Sequence, residues 1–326
     1  LKASSRHIAP ALSRSLPHSH RFRARRLIFT TLPEAAPAHM ATDSPLDPGK
    51  VAVITGAASG IGLACARVCC LRYSMQVVLV DSDFEALDAA ASELSDQSME
   101  SIVPCLCDVT DAEAMAAVQR QVYADMGGCN FLFLNAGIGG GGGPLSHPDR
   151  WREVFEVNLM GVLNGVKAFV PEMMKQGAPS VVAITSSRAG ITNPPGDAAY
   201  NASKAAVRAL AESLEHHLRS TPGCLVTSRL LLPGMTESRI ALNAAKRRAG
   251  RANGGEGSTR RLPTRGEAKA VPAKAEEVVA KLLRSVHEGG PFYVVGEDGE
   301  MNAEQFATAV RWSAEDLAQR RPPLSR

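Results

Sequence analysis

Tyr200 and Lys204 are the residues whose types and spacing point most directly to chemistry. In Tyr200-Asn201-Ala202-Ser203-Lys204 they stand at i and i+4, so on a helix both side chains leave one face about one turn apart. An ammonium near a phenol stabilises the phenolate and draws its pKa from about 10 toward neutral pH, which suits a general acid/base. Taken alone the pair is also an ordinary half-exposed helix pair, so its meaning depends on what accompanies it. A second constellation, Thr55-Gly56-Ala57-Ala58-Ser59-Gly60-Ile61-Gly62, follows the buried-strand run at 51–54 and leads directly into a helical stretch. Glycine there lets a pyrophosphate come close to the backbone, and the helix behind it offers free N–H groups and a positive dipole end. Asp81, in VVLVDSD, ends the next strand. Its carboxylate can accept hydrogen bonds from adenosine ribose hydroxyls and would repel a 2′-phosphate, and neither the turn nor the residues just after Asp81 carry a Lys or Arg. The charge logic selects NAD over NADP, although Asp81 could instead cap the helix beginning near Phe84. Asp108-Val109, after the third strand, is placed to meet the adenine, and Asp108 could equally cap the helix that follows.

These residues need a frame, and the pattern from Lys50 onward supplies one. Short aliphatic or β-branched runs alternate with Ala-rich helical stretches, the signature of βαβ units and a parallel sheet. Strands are expected at 51–55, 76–80, 102–105, 131–135, 180–185, 225–231 and 292–295. Helices are expected at 60–73, 84–95, 111–126, 149–176, 199–219, 275–287 and 301–318. Seven strands with intervening helices fit one doubly wound α/β sheet of the Rossmann type in a single domain.

With this order of elements the chain resembles the short-chain dehydrogenase/reductase family, in its compact single-domain branch, over about residues 48–296. The resemblance is carried by TGAASGIG at 55–62, Asp108-Val109, Asn135-Ala136-Gly137, Asn158, Ser187, Tyr200 with Lys204, and Pro233-Gly234, in that order and spacing. It implies that Ser187, in ITSSRAG, hydrogen-bonds the substrate oxygen while Tyr200 exchanges its proton. Ser187, rather than its neighbour Ser186, has the family's separation from the tyrosine. It further implies that Lys204 binds the nicotinamide ribose, that Asn158 on the long helix after the fourth strand holds a proton-relay water, and that Asn135 stabilises the central strand while Ala136 and Gly137 pass close to the cofactor. Two departures stand out. Leu134-Asn135 replaces the frequent Asn-Asn, and after Pro233-Gly234 the usual Val or Ile and later Thr are replaced by Thr236 and Ser238, of which Ser238 keeps a hydroxyl for the cofactor. The implied activity is an NAD(H)-dependent hydride transfer between a secondary alcohol and a ketone. Two alternatives are an NADPH-dependent carbonyl reductase with Asp81 turned away, and a catalytically idle nucleotide-binding or redox-sensing subunit using the cysteines and a basic insertion. The intact Asn158, Ser187, Tyr200 and Lys204 set argues against the idle subunit.

The rest of the chain bounds this reading. Its 326 residues are 45% hydrophobic with a formal net charge of +3. Within residues 1–39, Lys2, Arg6, Arg14, Arg21, Arg23, Arg25 and Arg26 face only Glu34, so the remainder sits near about −3 and has no basic excess for nucleic acid. The segment is rich in Arg, Ser, His and Pro and lacks a long apolar stretch. It reads as a disordered mitochondrial or plastid transit peptide, or else as a leader upstream of a true start at Met40 in a cytoplasmic protein. No apolar run approaches the roughly 20 residues of a membrane span. Seven cysteines without paired C-x-x-C spacing suggest small buried hydrophobes and no metal, and Cys65 with Cys69, one helical turn apart, is read as packing. Residues 243–274 break the βα rhythm and are expected to form a flexible lid or insertion whose run Lys246, Arg247, Arg248, Arg251 is solvated surface. The catalytic domain is expected over 48–300, with a C-terminal helix and tail over 301–326. The glycine run at 139–143 reads as a flexible loop. The family resemblance implies a homodimer or homotetramer through the long helices bearing Asn158 and Tyr200, where Val162, Val166, Phe169, Val170 and Met173 form an apolar stripe, some of which must face the domain's own sheet. Substrate contacts are expected from 191–197, 235–240 and the insertion, whose modest size and few charges favour a neutral or weakly polar alcohol or carbonyl compound.

Overall fold

The computed structural model describes residues 43–237, 240, 272–299 and 301–319. The chain divides into two units, Leu1–Ala41 and Thr42–Arg326, and every described residue belongs to the second. The leader expected over 1–39, Ser238, and residues 243–271 of the expected insertion therefore lie outside the described residues.

Seven parallel strands form one sheet in the order β3-β2-β1-β4-β5-β6-β7. They are β1 (Val51–Thr55), β2 (Gln76–Asp81), β3 (Ile102–Leu106), β4 (Phe131–Leu134), β5 (Ser180–Thr185), β6 (Val226–Leu232) and β7 (Tyr293–Val295). The doubly wound architecture expected from the βα alternation is the one observed. Strands β1, β4 and β5 are buried at every position, which is why they read as unbroken apolar runs instead of alternating ones. Successive residues still serve opposite faces. Ala52 and Ile54 pack with Phe131 and Phe133 under α1 (Gly60–Tyr73) and α8 (Ala275–His287). Val53 packs with Leu132, Leu134 and Ile184 on the other face, under α3 (Ala112–Met126), α5 (Gly161–Lys175) and α7 (Ala198–Ser220). Strand order reverses between β1 and β4, so the C-terminal ends of these two strands open the crevice where sheets of this kind bind ligands.

Two details depart from the sequence expectation, and a third open at that level is settled. The helix expected over 149–176 is α4 (Pro148–Phe155), one π-helical turn (Glu156–Met160) and α5; a wide turn of this kind leaves the apolar period almost unchanged and is silent in sequence. A short helix, α6 (Ala189–Thr192), follows β5 where only loop was expected. The stripe on α5 faces the chain's own sheet: Val162, Phe169, Val170 and Met173 are buried there and the partly buried Val166 packs against them. A helix α9 (Ala303–Ala318) closes the chain against α6. The sulfurs of Cys65 and Cys69 lie 4.0 Å apart in the core, where burial first and Cys69 second push the Cys65 thiol up, as expected of cysteines that pack instead of react. No helix among the described residues is long and apolar enough to cross a membrane.

Candidate active site

The glycine turn is shaped by a close approach of backbone to backbone. Gly56 has φ +65°, and a Cβ placed on Gly62 would collide with the Gly56 carbonyl oxygen and lie 2.9 Å from the Asn135 Nδ2, so Gly62 must be glycine for α1 to start where it does. Thr55 faces inward. Its hydroxyl accepts from the backbone N–H of Asn135 at 2.9 Å and of Ala136 at 3.1 Å. Asn135 in turn donates from Nδ2 to the Thr55 carbonyl at 3.2 Å and accepts from Thr185 Oγ1 at 3.1 Å. Asn135 thereby ties together the ends of β1, β4 and β5.

The N-terminus of α1 is chemically unlike those around it. Helices α2 (Phe84–Ser95), α3 and α7 are each closed by a carboxylate, from Asp83, Asp111 and Asp197 respectively. Ser59 makes no side-chain cap on α1, and its first turn holds no acid. The first N–H groups of any helix lack intrahelical partners, and together with the dipole they favour an anion. A pyrophosphate therefore fits this end of the site. Asp81 is not the cap of α2. Its Oδ2 accepts from Ala58 N at 3.0 Å, which sets the carboxylate against the glycine turn, and its Oδ1 accepts from Asp83 N at 3.1 Å. Likewise α3 is capped by Asp111, while exposed Asp108 accepts from Thr110 N and Oγ1, both at 2.9 Å. Val109 is buried against Gly161.

Across the crevice, β5, α7 and the π turn bring Ser187, Tyr200, Lys204 and Asn158 together. Ser186 is turned away, its hydroxyl donating to the Lys204 carbonyl at 2.7 Å, whereas the Ser187 hydroxyl accepts from Ala189 N at 3.1 Å and lies close enough to the Tyr200 hydroxyl to pull its pKa down. Lys204 is 2% exposed; its ammonium donates to the Thr185 carbonyl at 3.0 Å and lies 5.8 Å from the centre of the Tyr200 ring. Asn158, fully buried in the π turn, accepts from Ile138 N at 2.7 Å and donates to Ile138 O and to Ser203 Oγ, each at 2.9 Å. Gly137 is the gap through which the groups approach, since a Cβ there would stand 3.2 Å from Lys204 Nζ and 3.3 Å from Asn158 Oδ1.

The expected electrostatics of the pair need correction. Burial holds the Tyr200 phenol above its ordinary value; the Ser187 hydrogen bond pulls it down and the Asp197 carboxylate pushes it up. Burial acts on Lys204 as well, disfavouring its charge and lowering the amine from 10.5 to about 8. Desolvation outweighs mutual attraction for both groups.

Asp197, within the stretch expected to contact substrate, has a structural role that the sequence reading did not assign. One oxygen accepts from Gly140 N at 2.6 Å, and the other accepts from Gly142 N at 3.0 Å and caps α7 at Tyr200 N at 3.2 Å. The glycine run is thus pinned and not a flexible loop, and a Cβ on Gly141 would collide with that of Ala199. An N-cap aspartate before AAYNASK is legible in sequence; its reach of 57 residues back to Gly140 is not. On the far side, Pro233 O accepts from Arg188 N at 3.2 Å and Thr236 Oγ1 donates to Gly234 O at 3.2 Å. Thr236 also pairs with Ala273, which ties the loop after β6 to the C-terminal end of the expected insertion.

Comparison with known proteins gives the family and the fold. A family model described as short chain dehydrogenase matches residues 50–249. The 1-deoxy-11-beta-hydroxypentalenate dehydrogenase of Streptomyces exfoliatus is 35% identical over 196 residues, 58% of this chain and 68% of that protein. The putative oxidoreductase SadH of Mycobacterium tuberculosis is 36% identical over 171 residues, 52% of this chain and 61% of its own. A short chain dehydrogenase/reductase from Burkholderia phymatum, solved in complex with NAD, superposes with a TM-score of 0.72 at 31% identity, covering 86% of this chain and 98% of that one. An alcohol dehydrogenase from the archaeon Thermococcus sibiricus, complexed with 5-hydroxy-NADP, does so with a TM-score of 0.62 at 25% identity, covering 78% and 97%.

Proposed function

The chain belongs to the short chain dehydrogenase family and is an oxidoreductase, and from that premise we propose that it interconverts a neutral secondary alcohol and its ketone with NAD⁺ or NADH. The observation that carries the reading is the meeting of Ser187, Tyr200 and Lys204 across one crevice from the open N-terminus of α1. Ser187 holds the substrate oxygen. Tyr200 takes the hydroxyl proton during oxidation and returns it during reduction. Lys204, whose amine titrates near about 8, binds the nicotinamide ribose and favours the phenolate when charged. Asn158 fixes the Gly137–Ile138 backbone along the floor of the site. When bound, the nicotinamide supplies the hydride acceptor or donor, so that alcohol and NAD⁺ give ketone, NADH and a proton.

The turn at 55–62 and Ala58 beside Asp81 would hold the dinucleotide, with Asp81 on the adenosine ribose. Asp108, Val109, Asn135, Ala136, Gly137, Pro233, Gly234 and Thr236 would line its path. The assembly that goes with this function is a homodimer or homotetramer; because the α5 stripe is covered by the chain's own sheet, the contact would use outward positions such as exposed Met160. The test is a panel of sterol, fatty-acyl, sugar and small secondary alcohols offered with NAD⁺ and with NADP⁺. Turnover of at least one alcohol with kcat/KM at least about tenfold higher for NAD⁺ is expected, because a carboxylate at Asp81 opposes a 2′-phosphate. Preference for NADP⁺ would overturn the cofactor assignment, and turnover of none with either cofactor would overturn the function.

A further inference from the structure

Three stretches distant in sequence converge on one buried ion pair at the C-terminal ends of β5, β6 and β7. Arg188, next to Ser187, is 8% exposed, and it pairs with Asp298, whose side chain is wholly covered. The carboxylate of Asp298 also accepts from Met235 N at 2.6 Å and from Met301 N at 2.9 Å. The guanidinium of Arg188 donates to the Met301 carbonyl at 2.8 Å, and its backbone N–H donates to Pro233 O at 3.2 Å. Gly234 lies against both charged groups, so closely that a Cβ there would collide with each. Beyond the pair, Phe306 of α9 is buried in the same core that Ile191 of α6 and Met301 pack against. Asp298 and α9 lie outside the residues matched by the family model, which end at 249.

We propose that the Arg188–Asp298 pair is a positioning device for the reaction: it locks the Ser187 end of the site to the loop at 233–236 and makes the C-terminal segment with α9 a fixed part of the substrate half. The inference rests on the hydride-transfer reading above. A buried ion pair adds little stability over an apolar pair of similar size, yet its directional bonds fix register. Beyond the pair itself, these bonds go to the backbone of the loop at 233–236 and to that of Met301 in the C-terminal segment. Displacement of a reacting group by about 1 Å costs on the order of 100-fold in rate, so a latch at this place sets turnover without touching the substrate.

The experiment replaces the pair by apolar residues of similar volume, R188M/D298L, in the full chain. The expected result is a Tm close to wild type, kcat reduced at least about tenfold and alcohol KM raised at least about threefold. Wild-type kcat and KM in a folded double variant would overturn the proposal. A second measurement does not depend on turnover. In D298N the amides of Met235 and Met301 should exchange hydrogen at least about tenfold faster, with those of Gly60 to Gly62 unchanged, and unchanged exchange at Met235 and Met301 would overturn the latch even if the double variant failed to fold. Should the wild type turn over no alcohol, the functional reading fails, and the exchange comparison still decides the latch.

Discussion

Between Thr55 and Asp81 the crevice is built of backbone: a tight turn, an open helix end and one carboxylate held against Ala58. Between Ser187 and Met301 it is built of side chains that reach across long stretches of chain, with Asp197 gripping Gly140 and Gly142 and Arg188 pairing with Asp298. The first kind of site is local. Its requirements appear as glycine at fixed positions, because only backbone approach matters. The second kind depends on pairs whose partners stand 57 and 110 residues apart. The turn and helix end should therefore supply most of the cofactor affinity, and loss of the Tyr200 hydroxyl should end catalysis with the cofactor still bound.

The sharpest way to break this division is Gly62→Val. A side chain there meets the Gly56 carbonyl and Asn135 Nδ2, so NADH affinity should fall at least about 100-fold, roughly 3 kcal/mol, in fluorescence titration. Retained binding would mean that the turn tolerates what its geometry forbids. Next in size is Lys204→Met, which should raise stability while ending turnover. The folded amine titrates near about 8 and the unfolded one at its ordinary 10.5, so the folded state disfavours the ammonium. That penalty is fully present below about pH 8 and vanishes as pH rises through 10.5. The shift amounts to about 3 kcal/mol, less about 1 for the lost hydrogen bond to Thr185. Denaturant melts of K204M should exceed wild type by about 2 kcal/mol at pH 7, with the advantage disappearing at high pH. A variant less stable at pH 7 would show that the buried amine is not under strain. The smallest effect is expected from Asp197→Asn. Removing this carboxylate takes away a group that raises the Tyr200 phenol, so the pKa of the oxidation profile should move to lower pH. Stability should fall by about 1 kcal/mol through weakened bonds to Gly140 and Gly142. An unmoved profile would remove Asp197 from the electrostatics of the site.

The same contrast explains what could be read without coordinates. Strand and helix positions followed from apolar runs and periodicity, the turn at 55–62 from its glycines between strand and helix, and the choice of Ser187 beside Tyr200 from the family resemblance. Asp81 was legible as a carboxylate at the end of β2, but only the structure shows that Asp83 caps the next helix, which frees Asp81 for the turn. The π turn at Asn158 was hidden because one extra residue barely disturbs the helical period. The run at 139–143 looked flexible because glycines carry no partner signal; its partner is a carboxylate on another element. Arg188 and Asp298 look like surface charges in sequence, and only their meeting gives them a role. The direction of the Tyr200 shift was misjudged because charge proximity is visible in spacing whereas burial is not.

The division between binding and chemistry is tested most directly by Tyr200→Phe, which removes one hydroxyl and leaves the ring packed. Cofactor binding and turnover should be measured on the same preparation. The account predicts an NADH Kd within about threefold of wild type and turnover lower by at least about 1,000-fold, in line with loss of a positioned acid/base. Turnover within about tenfold of wild type would contradict it.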